Sequence, residues 1–482
     1  MPLQGPRKSL LIGVTESLSE PSFQKTLDPE VIAYLKRDLF LEHIQIFRNK
    51  SVDPCENFYR HICPATIQED QTISYRYIPP QIRKTLEFPV GEVEVGLGPI
   101  LEDISLNDEK QYAQFLQRFI SGLRPFGKLV KYVNDYKLLN DTVYAKLRKK
   151  IRKMSKIMRN DVEQTSNQLM SPQTKLRFER ISRTMMVILG KSNANKDDIV
   201  YQNLYTLLSK LWNQLYGKHL SYEKVAMQLG NLISAFYEVS PVELYAISLS
   251  HHLNAFNFAD RNTLKIPITG CLFSQLARNS PSFYGGIGFT LAHEMYHNFF
   301  TEESLMADIH LLEGKQCLDE HKEAVCREIG DTDGKLDCSA FEEKLFKPCD
   351  CQAPQSLKPT YFEDVVDRVG IQLAFKAMRE EIGVEKLTEF VYPEHGITNE
   401  QMFFYAHAIK NCHDAPYQWR SYGEPHEGAM MRVNQLVTLS PEFNKAFKCS
   451  SQSMQAKLMN SAGRTQCNQV GPDVLKRLFA KN

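Results

Sequence analysis

The sequence predicts a mainly α protein with a small β-sheet, an α+β fold. Three observations lead to it. Segments between 101 and 245 are long, charged and poor in glycine, with apolar residues recurring every three or four positions. One stretch, NAFNFADRNTLKIPITG at 254–270, reads as extended around an Asx-rich turn at Asp260–Asn262, with the alternation TLKIPI after it. Beyond it, helical spacing returns in SFYGGIGFTLAHEMYHNFF, YFEDVVDRVGIQLAFKAMREE and NEQMFFYAHAIKNC. The 482 residues are enough for two or three domains.

Residues 1–50 form a polar N-terminal leader with a helix expected near 29–48. Its apolar run LLIGV is shorter than the roughly 7–15 residues of a secretory signal core. SVDPCENFYRHICP, at 51–64, is a compact two-cysteine unit. It opens a second segment, 51–245, in which LRKKIRKMSKIMRNDVEQTSNQL, NLYTLLSKLWNQL and LSYEKVAMQLGNLISAFYEV read as helices. The basic run within the first of these is expected to be a solvated helix face. With 58 basic against 57 acidic residues, the chain has no electrostatic footprint for nucleic acid. The third segment, 246–482, carries the extended stretch, a glycine-rich entry into an apolar helix within 282–300, a polar cysteine-rich loop over 302–358 and two further helices. No stretch reaches the roughly 18 apolar residues of a membrane span.

Cysteine usage points to an oxidising compartment. Five of the eleven cysteines fall between 317 and 351 in a loop-like, polar stretch, where exposed thiols would be a liability. Asn49-Lys-Ser and Asn140-Asp-Thr are glycosylation acceptor patterns. The localisation expected is extracellular or cell-surface.

The chemistry is concentrated at His293-Glu294-Met-Tyr-His297. On an α-helix, residues i and i+4 share a face, so both imidazoles can reach one ion. Glu294 lies about 100° around the helix, beside that ion, placed to take a proton from bound water. A buried helix carrying polar residues is the competing reading, but an unpaired Glu in so apolar a run would be costly. Hydrolytic zinc sites use three protein ligands and one open position. A third histidine six residues on would be position 303, which is Glu303; a glutamate nineteen residues on would be 316, which is Gln316. A more distant helix remains, and Glu363 with Asp367 again has the i, i+4 spacing. Glu363 can bind the ion, and Asp367 can accept the second ring N–H of a ligand histidine. Taken alone, that pair also fits a solvated acidic helix start.

At this point the chain resembles the neprilysin and endothelin-converting enzyme family of zinc metallopeptidases. The likeness is distributed over DPCENFYRHIC (53–63), NAFNFADRNTLKIP (254–267), YGGIGFTLAHEMYHNF (284–299), FEDVVDRVGIQLAFKA (362–377), TNEQMFFYAHAIKNC (398–412) and PHEGAMMRVNQLVTLSPEFNKAFKC (425–449). It implies a two-lobed gluzincin-type metallopeptidase, with a thermolysin-like catalytic lobe at 246–482 and a shortened helical lid lobe in 51–245.

The resemblance also implies roles. One Zn2+ per chain is held by His293, His297 and Glu363. Glu294 is the general base acting on zinc-bound water, and Asp367 orients a ligand histidine. His426 donates to the oxyanion, and Arg432 lies near the primed-side pocket. Asn254 and Ala255 bind the substrate backbone as an added edge strand. Cys55 pairs with Cys449, Cys63 with Cys412, and Cys467 with one of the 317–351 group such as Cys338, leaving Cys271 a buried free thiol. The implied activity is an endopeptidase on oligopeptides, cutting N-terminal to large apolar residues. The partners expected are peptide substrates, with no nucleic acid and no membrane span. A catalytically silent relative that binds peptides or a partner protein is the alternative. Three departures stand out: a shorter helical lobe, TEESLMADIHLLEG after Phe300, and NQVGPDVLKRLFAKN after Cys467.

Overall fold

The computed structural model describes residues 36–64, 71–76, 138–169, 172–190, 262–299, 361–413 and 426–460 continuously. It also describes 255–258 and shorter stretches, including parts of 318–325, residues 345–346 and residues 420–421. Among these residues helices predominate and the strands make small sheets, the architecture that the periodicities predict. Of the helix expected in 203–215 only residues 206 and 210 are described, both helical; the helix expected in 220–239, and most of the expected lid lobe, lie outside the described residues.

Helix α1 (Leu39–Phe47) starts where Asp38 caps it, Oδ1 accepting from the Leu41 N–H at 3.1 Å. Its Leu39, Phe40 and Ile44 are buried in the main core, so the end of the expected leader packs with the rest. Helix α2 (Phe58–Ile62), capped by Asn57, carries the two-cysteine unit, and α3 (Ile73–Arg76) follows.

Helix α4 (Asp141–Leu169) buries Tyr144, Leu147, Ile151, Met154 and Met158 at helical spacing. It leaves Lys146, Arg148, Lys149, Arg152 and Lys156 exposed. The basic run is therefore the solvated side of an amphipathic helix. Helix α5 (Pro172–Thr184) leads into strand β1 (Met186–Leu189).

The main sheet has the order β1-β3-β2, with β2 spanning Phe256–Phe258 and β3 spanning Thr263–Ile266. β1 runs parallel to β3, from Met186↔Thr263 to Leu189↔Ile266, and β2 pairs antiparallel to β3. The alternation in TLKIPI suggests a strand with one solvated face, but all four β3 residues are buried. The reason is position: β3 is the central strand and is covered on both faces. β1 was not foreseen, because a four-residue apolar run does not distinguish strand from buried helix. The turn joining β2 and β3 ends at Asn262, which has φ +47°. The extended stretch also stops sooner than expected, since α6 (Ile268–Phe273) begins within it.

Helix α7 (Ser280–Phe283) is capped by Asn279 and runs through a π-helical turn (Tyr284–Gly288) into α8 (Phe289–Tyr296). Strand β4 (Leu345–Phe346) comes next, then the long α9 (Tyr361–Ile382). The hairpin of β5 (Phe390–Tyr392) and β6 (Ile397–Thr398) delivers the chain to α10 (Asn399–Lys410). A capping box starts α10: the Gln401 N–H donates to Thr398 Oγ1, and the Thr398 N–H donates to Gln401 Oε1. β7 (Arg420–Ser421) pairs with β4. Helices α11 (Ala429–Thr438), α12 (Pro441–Phe447) and α13 (Met454–Asn460) complete the described chain.

α8 packs on α9, α4 packs against both, and α10 packs on α7 and the π-turn that leads into α8. Two disulfides, Cys55–Cys449 and Cys63–Cys412, tie the α2 block to α10–α12, as the resemblance implies. Cys271 is buried and forms no disulfide among the described residues. The remaining six cysteines lie outside the described residues.

Candidate metal centre

The glycines ahead of the HEMYH sequence have a steric role. A Cβ on Gly285 would lie 2.0 Å from the Phe403 carbonyl oxygen, so only glycine lets α10 approach so closely. Gly286 breaks the helical path (φ −81°, ψ −108°), and α8 restarts at Phe289. The glycine-rich entry expected ahead of the apolar helix is thus a short helix and a π-turn. α8 itself is short: it ends at Tyr296, and His297 is its C-cap, still in the right-handed helical region. One turn therefore separates His293 from His297 as the spacing predicts, and their Nε2 atoms lie 3.0 Å apart.

α9 brings the carboxylates. Glu363 Oε2 is 3.1 Å from His293 Nε2 and 3.4 Å from His297 Nε2. One turn along, Asp367 Oδ1 is 2.7 Å from His293 Nδ1, on the side of the ring away from Glu363. Closeness of the two helices is set by Gly370: a Cβ there would be 3.0 Å from the His293 backbone nitrogen and 3.1 Å from its Cα.

The donor set fits a tetrahedral zinc ion. With metal–ligand distances of about 2.0–2.1 Å, ligand atoms sit about 3.3–3.4 Å apart. The three observed separations, 3.0, 3.1 and 3.4 Å, lie within about 0.4 Å of that value. His293, His297 and Glu363 form the one such group of potential metal ligands among the described residues, with all donor atoms within 4.8 Å. Glu363 Oε2 is buried and makes no hydrogen bond of proper geometry, although three imidazole nitrogens crowd it. A bound cation would satisfy such an oxygen.

The electrostatics agree. Burial disfavours the Glu363 carboxylate, yet His426, His293 and His297 outweigh it and hold its pKa well below the usual value. Burial also opposes the Asp367 charge. Arg432 and His293 reverse the balance, and the Asp367 pKa is lowered. Arg432 donates from both Nε and an Nη to the two Asp367 oxygens, at 2.5 Å each. Asp367 is thereby held as an anion, with Oδ1 2.7 Å from His293 Nδ1, across the ring from Nε2.

Of the remaining predicted residues, His426 lies at the rim, its Nε2 3.0 Å from Glu363 Oε2. Glu294 is half-buried on α8, and its backbone oxygen accepts from Asn257 Nδ2 at 2.6 Å. That bond ties β2 to the histidine helix. Asn257 was not singled out in the sequence; its position in the FNF of the extended stretch was the available signal. Ala255 is fully buried just before β2, and Asn254 lies outside the described residues. Arg432 pairs with Asp367 and stands 5.9 Å over the Phe289 ring. Gly370 was likewise missed, since a helical glycine is informative only when its neighbour is known.

Residues 254–464 match the model of Peptidase family M13. The matched segment includes all of the clustered residues. Over 220 residues the chain is 27% identical to neprilysin-1 of Caenorhabditis elegans, a match covering 43% of this chain and 27% of that protein. The chain is also similar to the Mycobacterium tuberculosis zinc metalloprotease ZMP1, with 15% identity and a TM-score of 0.43, covering 71% of this chain and 48% of that one. For PepO from Lactobacillus rhamnosis HN001 the identity is 16% and the TM-score 0.37, with 70% of this chain and 52% of that chain covered. The chain thus spans about a quarter of the curated relative's length.

Proposed function

We propose that the protein is a zinc-dependent endopeptidase that hydrolyses oligopeptides. The observation that carries this reading is the convergence of two helical imidazoles and the Glu363 carboxylate, with Asp367 behind His293. One Zn2+ per chain is held by His293, His297 and Glu363. When bound, zinc supplies a Lewis acid and brings the pKa of a coordinated water to about 7.

The chain's own residues do the rest. Glu294 takes the proton of the attacking water and passes it to the departing amine. Asp367, held by Arg432, keeps His293 in the tautomer that presents Nε2. His426 donates to the oxygen that becomes negative as the carbonyl is attacked. The substrate backbone adds to the sheet at β2. This accords with β2 being an edge strand among the described residues, and with Asn257 linking it to the Glu294 carbonyl. Cleavage N-terminal to large apolar residues follows the family resemblance. The division into 1–50, 51–245 and 246–482 is retained as the domain reading, with β1 contributed to the catalytic sheet from the middle segment. Two long-range disulfides support an extracellular or cell-surface setting, and the acceptor sequences at Asn49 and Asn140 support glycosylation there.

The test is zinc content together with cleavage of a fluorogenic peptide, with Glu294→Gln as control. Stoichiometric zinc, turnover in the parent protein, and zinc without turnover in the variant are expected. Loss of zinc in Glu294→Gln would contradict the base assignment, and a zinc-loaded, inactive parent protein would favour a silent peptide-binding role.

A further inference from the structure

We infer that Lys322 is a positioning residue for this centre, locking the His426 stretch onto the start of α9. Its ammonium bridges two carboxylates, 3.0 Å from Asp364 Oδ2 and 2.8 Å from Glu427 Oε1. Each carboxylate is the immediate chain neighbour of a residue at the centre: Asp364 follows the proposed ligand Glu363, and Glu427 follows His426. One cation thus fixes the spacing between the elements that carry the third ligand and the oxyanion donor.

The tie is buried. Side-chain exposure is 16% for Lys322, 5% for Asp364 and 11% for Glu427. Two carboxylates this close and this dry repel strongly unless a cation stands between them. Burial opposes the lysine's charge, but Asp364 and Glu427 outweigh it and keep the ammonium protonated. The local backbone offers less restraint, because residues 426–428 are bend and coil before α11 starts at Ala429.

The lysine itself has a firm base. Its neighbour His321 is fully buried, and Nε2 lies 2.8 Å from Thr438 Oγ1 at the end of α11. Ala324 and Val325 pack against Met431 and Leu458. A connected path therefore runs from the α11 core through Lys322 to both sides of the centre. The sequence placed Lys322 in a polar, cysteine-rich loop; the described residues around it are helical at 320–322 and 324–325.

The inference rests on the zinc-peptidase reading, so the parent protein's zinc content and turnover are measured first. Their absence would remove that reading, an outcome separate from any effect of the variants. In an active parent, Lys322→Met should lower kcat about 10- to 100-fold, the loss expected when a catalytic group is displaced by about an ångström. KM and zinc affinity, read by chelator competition, should hardly change. Affinity for a phosphonamidate peptide, whose tetrahedral phosphorus mimics the attacked carbonyl, should fall in parallel with kcat. Lys322→Arg should restore most of both. Lys322→Met with Glu427→Gln removes the repelling pair as well as the tie. It should recover the thermal midpoint while kcat and phosphonamidate affinity stay low, which separates positioning from mere stability. Unchanged kcat in Lys322→Met, or recovery of kcat together with the midpoint in the double variant, would overturn the inference.

Discussion

Glu363 brings a carboxylate to a spot where three imidazole nitrogens already converge within 3.4 Å. Replacing it with Val should abolish zinc binding while leaving the helices intact. Metal analysis after dialysis, alongside circular dichroism, checks this; tight zinc in the variant would mean that another residue is the third ligand. His407 raises a separate point at the same scale. It is fully buried edge-on to Phe289 at 4.5 Å, with no hydrogen-bond partner on either ring nitrogen among the described residues. Burial lowers its pKa to about 3. The unfolded chain therefore binds more protons between pH 6.5 and 3, and this contribution to stability is full above pH 6.5 and lost as the pH falls through that window. His407→Phe should remove ~2 kcal/mol of the stability difference between pH 7 and pH 4.5. Urea midpoints at the two pH values measure it.

Helix α8 is short and helix α9 long, and their contact is the frame of the site. Gly370 permits it, with its missing Cβ facing the His293 backbone rather than a movable side chain. Gly370→Ala should push the helices apart, costing about 1–3 kcal/mol as overpacking and weakening zinc binding. Thermal melts and chelator competition read both effects, and an unchanged zinc affinity would show that the helix spacing has slack. The helices themselves were legible, because amphipathic periodicity over twelve or more residues is a strong signal, as in Tyr361–Ile382 and Asn399–Lys410. The π-turn at Tyr284–Gly288 was not, since the neighbour that demands glycine at 285, the Phe403 carbonyl, is more than a hundred residues away. The short helical stretch around Lys322 was hidden among polar residues that read as loop.

Across the whole molecule, the α2 block is sewn to the C-terminal helices. Besides the disulfides, with sequence separations of 394 and 349, the Tyr59 N–H donates to Asn434 Oδ1 and Asn434 Nδ2 donates to Asn57 Oδ1. Asn434 lies on α11, only two residues beyond Arg432, so the N-terminal block braces the helix that holds Asp367. Reduction should lower stability by about 2–5 kcal/mol, the usual effect of losing native bridges that close long loops. A thermal midpoint unmoved by reductant would contradict this bracing. No helix among the described residues is long and apolar enough to cross a membrane.

By itself the sequence determined the local chemistry: His293 and His297 one turn apart, Glu363 and Asp367 one turn apart, and Glu294 beside the histidines. Those relations follow from the helical period, which any α-helix imposes whatever surrounds it. Only the tertiary structure decided that the two pairs meet, because the distance between remote helices depends on what lies between them. Here that is a glycine at 370, an arginine holding Asp367 from behind, and a lysine at 322 joining the segments on either side.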